Sequence, residues 1–229
     1  MNTHEHTWQR HLENALLNLF IIWAGVGCLT MVSGINHLPP HLAWADAFFM
    51  VLAAANIFGT MARRDGWRAA AASFLIIALV SGLAETVGVL TGFPFGSYDY
   101  TPYFGWKIGG VLPFTIPLAW FVVLGSCHDL ATLWLRERPR WKLAFVTAVG
   151  ATLLDWVMEP FACRIKSYWL WNTPEIPWQN YASWFVLSFI LTASCPWGKE
   201  PLRRSDPRSA VVLGAMLATF ALGRIMHGV

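Results

Sequence analysis

The sequence predicts an all-α, polytopic membrane helical bundle of about seven transmembrane helices. Of its 229 residues, 56% are hydrophobic and only 13% are charged. The charged residues are gathered in short clusters, whereas a soluble surface would spread them through the chain. A helix needs about 20 predominantly apolar residues to cross a hydrocarbon core about 30 Å thick. Seven segments fit, at about 16–33, 42–62, 69–90, 108–135, 143–163, 181–197 and 209–226.

Little of the chain lies outside these spans, so we expect a single integral membrane domain over residues 1–229. The residues outside the spans are too few to form a separate soluble catalytic domain. The first span is expected to be retained as a helix, because no alanine-type cleavage site follows it and charged residues precede it. The cysteines fall in four different spans without a CxxC pair and are interpreted as packing residues: Cys28, Cys127, Cys163 and Cys195.

Lysine and arginine residues divide unequally between the two sides of the membrane. When the loops are assigned alternately, one side holds Arg10, Arg63, Arg64, Arg68, Arg136, Arg138, Arg140, Lys142, Lys199, Arg203, Arg204 and Arg208. The other side holds only Lys107, Arg164, Lys166 and Arg224. The positive-inside rule then predicts a multi-pass protein of a bacterial inner membrane, with its N-terminus in the cytoplasm and its C-terminus outside. The membrane explains the formal charge of +3, so no nucleic-acid partner is predicted.

Two loops are rich in aromatic and turn-forming residues, and the predicted orientation places both on the outer face. The loop at 91–107 contains Thr-Gly-Phe-Pro-Phe-Gly-Ser-Tyr-Asp-Tyr over residues 91–100, and the loop at 164–180 contains Tyr168-Trp169-Leu170-Trp171. Both are too polar to face lipid within a span. An aromatic belt at the headgroups explains a single Trp equally well. The clustering of aromatic residues in two loops beside intramembrane acids favours a functional site.

Acidic residues within the spans indicate a structural or functional role, because a charge at mid-bilayer costs about 2.5–3.5 kcal/mol even on the insertion scale. Asp155 and Glu159 are four residues apart and therefore lie on one face of a helix. Two close carboxylates resist ionising together, which favours a shared proton and an acid–base pair. Pro160 follows directly, so the helix is expected to bend or end there. Glu85 is a third candidate, and Asp46 lies near the outer end of the second span.

A purely structural interpretation also fits these acids. Asp155, Glu159 and Glu85 would then satisfy Arg224 and Asn180 in a buried polar network. In either interpretation, Arg224 is the natural charge partner of one acid.

Two residues toward the cytoplasmic end of the fourth span, His128 and Asp129, are expected to cap a helix end near Arg136. No spacing of His, Asp and Glu elsewhere completes a metal site, so no metal is predicted.

Motifs in both halves of the chain carry a family resemblance. Glu85 precedes the 91–100 string, and the Gly110-Val-Leu-Pro113 run, Pro117 and Trp120 follow it. The second half contributes Asp155, Glu159-Pro160, Tyr168, Trp169, Trp171, Pro174, Pro177, Asn180 and Trp184. Over roughly residues 80–190 the chain resembles the membrane carotenoid-biosynthesis family that contains the bisanhydrobacterioruberin-type and γ-carotene 1,2-hydratases.

The resemblance implies an enzyme that adds water to the terminal double bond of an acyclic carotenoid end group, giving a tertiary alcohol without a cofactor. Either Asp155 or Glu159 would protonate the alkene, and the other would position water. Aromatic faces would hold the cation formed in between. The implied substrate-binding residues are Tyr98, Tyr100, Trp169, Trp171, Phe95 and Asn180. The implied partners are the carotenoid, the lipid bilayer and other enzymes of the carotenoid pathway.

Two other functions remain open. A carotenoid cyclase would protonate the same end group but exclude water, and a proton-coupled transporter would also use buried acids and a buried arginine. A prenyl transferase is disfavoured because no DDxxD-like run exists. A retinal protein is disfavoured because its Schiff-base lysine should lie within a helix. All four lysines instead fall in loops or at span ends: Lys107, Lys142, Lys166 and Lys199.

Overall fold

The computed structural model describes residues 3–38, 40–42, 44–135, 139–197 and 206–228. Its helices are α1 (Thr3–Val32), α2 (Trp44–Asp65), α3 (Trp67–Thr91), α4 (Thr115–Trp134), α5 (Arg140–Pro160), α6 (Trp178–Ser194) and α7 (Arg208–His227). Each helix corresponds to one predicted segment, which confirms the all-α class and the helical bundle. Six of them, all except α6, are long and apolar enough to cross a membrane. The length and apolar composition of these helices are those of a multi-pass membrane protein.

The shortest helix is α6, with 17 residues. At 1.5 Å per residue it is about 25 Å long, about one turn less than the hydrocarbon thickness.

The centre of the bundle is α4, whose residues 120–124 are all buried. The outer helices instead present large apolar side chains at their surface. On α3, for example, Leu79, Leu83 and Leu90 are 63%, 66% and 67% exposed. An apolar surface of this kind is what contact with lipid tails requires.

Four short strands interrupt the helical pattern: β1 (Tyr98–Tyr100), β2 (Lys107–Ile108), β3 (Leu112–Pro113) and β4 (Trp169–Trp171). β1 pairs antiparallel with β4, so the two aromatic loops are joined to each other. β2 pairs with β3 in a small hairpin. The pairing satisfies backbone groups that would otherwise be unbonded near the membrane.

The predicted fourth span begins too early, because residues 108–114 are not helical. Gly109 and Gly110 have φ angles of 58° and 74° and form the turn of the β2–β3 hairpin. Two consecutive residues with positive φ end any right-handed helix, and glycine adopts this conformation without strain. The Gly-Gly pair is itself a turn signal, but the apolar residues around it extended the predicted span across the turn, and α4 starts only at Thr115.

The end of α5 is where the sequence predicts it, at Pro160. Residues Phe161–Ile165 continue as one wide π-helical turn, closed by a hydrogen bond from the Lys166 N–H to the Phe161 carbonyl (3.0 Å). The missing proline N–H explains why the α-helical pattern stops there. The wide turn leads the chain directly into β4.

One end of the bundle carries a cluster of ion pairs. Arg64 bonds to Asp65 at 2.7 Å and to Asp129, and Arg208 pairs with Glu13 (3.3 Å) and Asp206 (3.0 Å). Residues near the starts of α1 and α7 and the ends of α2 and α4 thus meet at this end. The aromatic loops lie at the opposite end.

The expected helix cap at His128 and Asp129 is wrong. Asp129 accepts hydrogen bonds from Arg64 and from the Ser209 hydroxyl (2.5 Å), so it joins α2, α4 and α7. His128 stacks on Trp197 with ring centroids 4.1 Å apart. Sequence spacing could not identify these partners, because they come from distant helices. Arg136 lies outside the described residues, as do Arg138, Lys199, Arg203 and Arg204.

Candidate active site

A cavity of about 320 Å³ lies inside the bundle and reaches the end that carries the aromatic loops. Most of its wall is aromatic or aliphatic. Four carboxylates line it, and three of these are buried: Glu85, Asp155 and Glu159 are 5%, 1% and 2% exposed. A mostly apolar pocket with a few converging polar groups is the usual form of a small-molecule site.

The Asp155–Glu159 pair is joined by a residue of a neighbouring helix. One turn of α5 separates the two acids, and Pro160 ends the helix just beyond them. The Asn180 Nδ2 group, in the first turn of α6, donates to Asp155 Oδ2 (2.9 Å) and to Glu159 Oε1 (3.2 Å). A single amide therefore fixes the position of both carboxyl groups.

The two acids differ in the number of hydrogen bonds they accept. Glu159 accepts from Asn180 on one oxygen and from the indole N–H groups of Trp169 (3.1 Å) and Trp171 (3.0 Å) on the other. Among the described residues, Asn180 alone donates to Asp155. The Asp155 Oδ1 atom is buried and has no hydrogen-bond partner among the described residues. The pair thus presents one fully engaged carboxyl group and one with an unengaged oxygen.

Glu85 on α3 is held by three donors from two other segments. Its Oε2 accepts from the hydroxyls of Tyr98 (2.5 Å) and Tyr100 (2.8 Å), and its Oε1 accepts from the indole N–H of Trp120 (2.8 Å). Burial raises the pKa of both tyrosine hydroxyls well above the usual value, and the neighbouring Glu85 carboxylate raises it further. Both hydroxyls therefore stay protonated and remain donors at physiological pH.

The β1–β4 pair delivers four aromatic side chains to one side of the cavity. Alternate residues of a strand face the same way, and the register sets Tyr98 opposite Trp171 and Tyr100 opposite Trp169. Asp99, between the tyrosines, is exposed on the other face. The strands thus supply two donors to Glu85 and two donors to Glu159.

Most of the predicted site residues line this one cavity. These are Glu85, Tyr98, Tyr100, Asp155, Glu159, Trp169, Trp171 and Asn180. Phe95 does not line it. It is buried behind the wall, with its ring 6.5 Å from Tyr98 and 6.3 Å from Trp120. The guanidinium of Arg224 lies 5.9 Å from the centroid of the Trp156 ring, so its role as a charge partner of an acid stays a prediction.

Several cavity residues were not among the predicted site residues. Trp120 and Trp184 stack almost in parallel, with centroids 3.7 Å apart, and form part of the wall. Both residues belong to the family motifs, so the sequence could have identified them as candidate site residues. Asp46 and Lys166 pair at 3.0 Å and also line the cavity. The sequence did not indicate that these two residues pair. It indicated only that an acid within the membrane needs a partner.

No group of three or more His, Cys, Asp or Glu side chains that could hold a metal ion is found within the described ranges. The groups that donate to the three buried acids are indole, phenol and amide groups. Neutral donors of this kind suit buried carboxyl groups, and the apolar wall suits an apolar ligand.

Comparisons with known proteins identify the family to which this chain belongs. The family model described as "Carotenoid biosynthesis protein" matches residues 45–229, which include both aromatic loops and all four carboxylates of the cavity. The bisanhydrobacterioruberin hydratase of Haloarcula japonica is 27% identical over 212 residues, covering 86% of this chain and 70% of that protein. No solved structure matches the chain. The chain belongs to the carotenoid biosynthesis protein family.

Proposed function

We propose that this protein is a carotenoid hydratase, which adds water to the terminal double bond of an acyclic carotenoid end group without a cofactor. One observation carries the proposal. Two carboxyl groups, joined by the Asn180 amide, face an apolar and aromatic cavity, and only one of them is fully engaged in hydrogen bonds. The hydratase activity in the name of the Haloarcula japonica relative supports the same reaction.

The proton donor in this scheme is Asp155. Its Oδ1 is buried and unengaged, so a proton on that oxygen points to no acceptor among the described residues. An alkene in the cavity is then the acceptor. The proton adds to the carbon of the double bond that bears a hydrogen, and a tertiary cation forms on the carbon that bears the two methyl groups.

The base in this scheme is Glu159. Its three neutral donors stabilise the ionised carboxylate, and Oε1 still has a lone pair for a water molecule. The water oxygen bonds to the tertiary carbon while its proton passes to Glu159. The proton then returns to Asp155 within the pair. The net reaction is substrate plus one water, with both carboxyl groups restored.

Glu85 and the aromatic wall would stabilise the cation. In its ionised form, Glu85 would be held by three donors before the reaction begins, which is the arrangement that favours electrostatic stabilisation. The faces of Tyr98, Tyr100, Trp169 and Trp171 would add cation–π attraction.

Water reaches the cavity beside the Asp46–Lys166 pair in this proposal. The Asp46 side chain is 29% exposed, whereas that of Lys166 is 9% exposed, so the ion pair connects the surface with the interior. A cyclase would need to keep water away from the cation, and a charged pair in the cavity wall does not favour that.

We also propose a bacterial inner-membrane location with the N-terminus in the cytoplasm and the C-terminus outside. In support, Arg63, Arg64 and Arg208 meet at the end of the bundle opposite the aromatic loops. A topology reporter inserted beside Asp99 is expected to report the outer side. A cytoplasmic signal there would contradict both the orientation and water entry from outside.

The test of function is expression in bacteria that accumulate lycopene, followed by chromatography and mass spectrometry of the pigments. We expect a product heavier by one water, which is lost in Asp155→Asn and in Glu159→Gln. Asp99→Asn is the matched control, because it makes the same chemical change on the exposed face of β1 and should retain activity. An isomer of unchanged mass would indicate a cyclase. Unaltered lycopene would exclude lycopene as the substrate and would return attention to the interpretation as a proton-coupled transporter.

A further inference from the structure

The cavity is too small for a whole carotenoid. Its volume of about 320 Å³ is near the lower end of the pockets that enclose drug-sized ligands. A carotenoid is an extended chain, and most of its length must lie outside such a cavity. The substrate therefore needs an opening through which the polyene leaves the site toward the lipid.

We propose that the polyene is bound in a slot between α1 and the start of α2, while one end group occupies the cavity. This inference rests on the proposed function and extends it. The slot is defined by Val26 and Gly27 on α1, by Leu42 in the 3-10 turn before α2, and by Trp44 at the start of α2.

Exposure of the cavity wall locates the slot. Of the described residues that line the cavity, four are exposed, and they are the four that define the slot. Val26, Leu42 and Trp44 are 47%, 38% and 53% exposed. Because exposed residues of one cavity mark where it meets its surroundings, the cavity opens between these two helices. Val26 and Gly27 lie well inside the apolar span His11–Val32, so the opening faces the bilayer.

The walls of the slot are suited to a conjugated chain. Trp23 is fixed by a hydrogen bond from its indole N–H to the Ala45 carbonyl (3.0 Å), and its ring lies 5.5 Å from that of Trp44. The opening is therefore lined by one aromatic ring from α1, that of Trp23, and one from α2, that of Trp44. Flat, fixed aromatic rings are good contacts for a flat polyene.

Gly27 leaves the slot open on the α1 side. A Cβ atom at Gly27 would have no protein atom within 4 Å, so the position borders empty space. Trp23, Gly27 and Thr30 all line the cavity and lie at helical spacing on one face of α1. A side chain at Gly27 would enter the slot without displacing other protein atoms.

This geometry has a consequence for specificity. Only one end group is inside the cavity, so the enzyme does not recognise the far end of the carotenoid. Acyclic carotenoids with different far ends should be hydrated alike, and a substrate with two acyclic ends should react at each end in separate binding events.

The test is Gly27→Phe, with Gly25→Phe as the matched control. Both glycines are exposed on α1 and both border empty space, but only Gly27 lines the cavity. Each variant is assayed with lycopene and with a short acyclic isoprenoid hydrocarbon that has the same end group and fits within the cavity. For Gly27→Phe we expect hydration of lycopene to fall about tenfold or more. Its activity on the short substrate should stay within about twofold, and Gly25→Phe should resemble the wild type on both substrates.

A second measurement is independent of turnover. Lycopene that co-purifies with Asp155→Asn protein, alone or combined with either glycine variant, is quantified by absorbance per protein. We expect Gly27→Phe to retain about tenfold less pigment than Gly25→Phe. Equal retention, or equal loss of activity on long and short substrates, would overturn the slot. Wild-type protein that retains pigment without hydrating it would contradict the proposed function alone.

Discussion

The side-chain amide of Asn180 donates to Asp155 Oδ2 at 2.9 Å, and this bond attaches α6 to the acid pair of α5. The same nitrogen donates to Glu159 at 3.2 Å. One neutral side chain therefore holds two buried carboxyl groups in a fixed relationship. Its position in the first turn of the shortest helix makes the site sensitive to where α6 begins.

Replacing Asn180 should abolish most activity. Asn180→Leu removes the donor shared by both acids and leaves Asp155 without its described hydrogen bond. We expect the hydration rate to fall by about 10²–10³-fold, as when a preorganised donor is removed from an active site. The measurement is product formed per amount of protein from lycopene. Asn172→Leu is the control, since Asn172 is exposed and donates to Ser97 rather than to an acid (2.8 Å). Similar activity in both variants would contradict this role of Asn180.

The tyrosines that bind Glu85 should contribute to stability. Tyr98→Phe and Tyr100→Phe each remove one of three hydrogen bonds to a buried carboxylate, and a bond of this kind is worth about 2 kcal/mol. For a chain of this size, we expect each change to lower the melting temperature in detergent by about 4–8 °C. Tyr103→Phe keeps the ring that stacks on His37 and removes a hydroxyl from an exposed residue, so its melting temperature should match the wild type.

The packing of α7 against the π-helical turn should tolerate no added methyl group at Gly223. A Cβ there would lie 2.5 Å from the ring of Phe161, which lines the cavity two residues after Glu159. Gly223→Ala must push this ring, so we expect lower activity and a lower melting temperature. Gly214→Ala on the same helix meets no atom within 4 Å and should be neutral or slightly stabilising. The prediction fails when the two variants behave alike in both assays.

The Asp46–Lys166 ion pair should contribute more to thermal stability than an ion pair on the surface does. Lys166→Met leaves Asp46 without this partner in the cavity wall, and we expect a clear loss of thermal stability. Adding Asp46→Asn to Lys166→Met should restore part of it, because the uncompensated charge is gone. The control pair is Arg164–Glu175, whose atoms lie 3.9 Å apart with side chains 45% and 90% exposed. Arg164→Met should have little effect. A complete double-mutant cycle in melting temperature measures the difference.

The candidate site could be predicted in part because some of its geometry is local. The spacing of Asp155 and Glu159 places both on one helical face, and Pro160 marks the end of that helix. The aromatic residues of the two loops were also identifiable from their density. Asn180 was named from the sequence as a partner of these acids in a buried polar network. The hydrogen bonds from Trp120 and Tyr98 to Glu85 could not be predicted, since these residues reach the acid from other segments.

The sequence by itself determined the seven apolar segments and the i, i+4 acid pair, because hydrophobic length and helical period are local properties of the chain. Only the tertiary structure decided that β1 pairs with β4 and that Asp46 meets Lys166 across 120 positions. It also decided where the cavity opens. These features depend on contacts between segments far apart in the chain. The periodicity within one segment does not indicate which other segment it contacts.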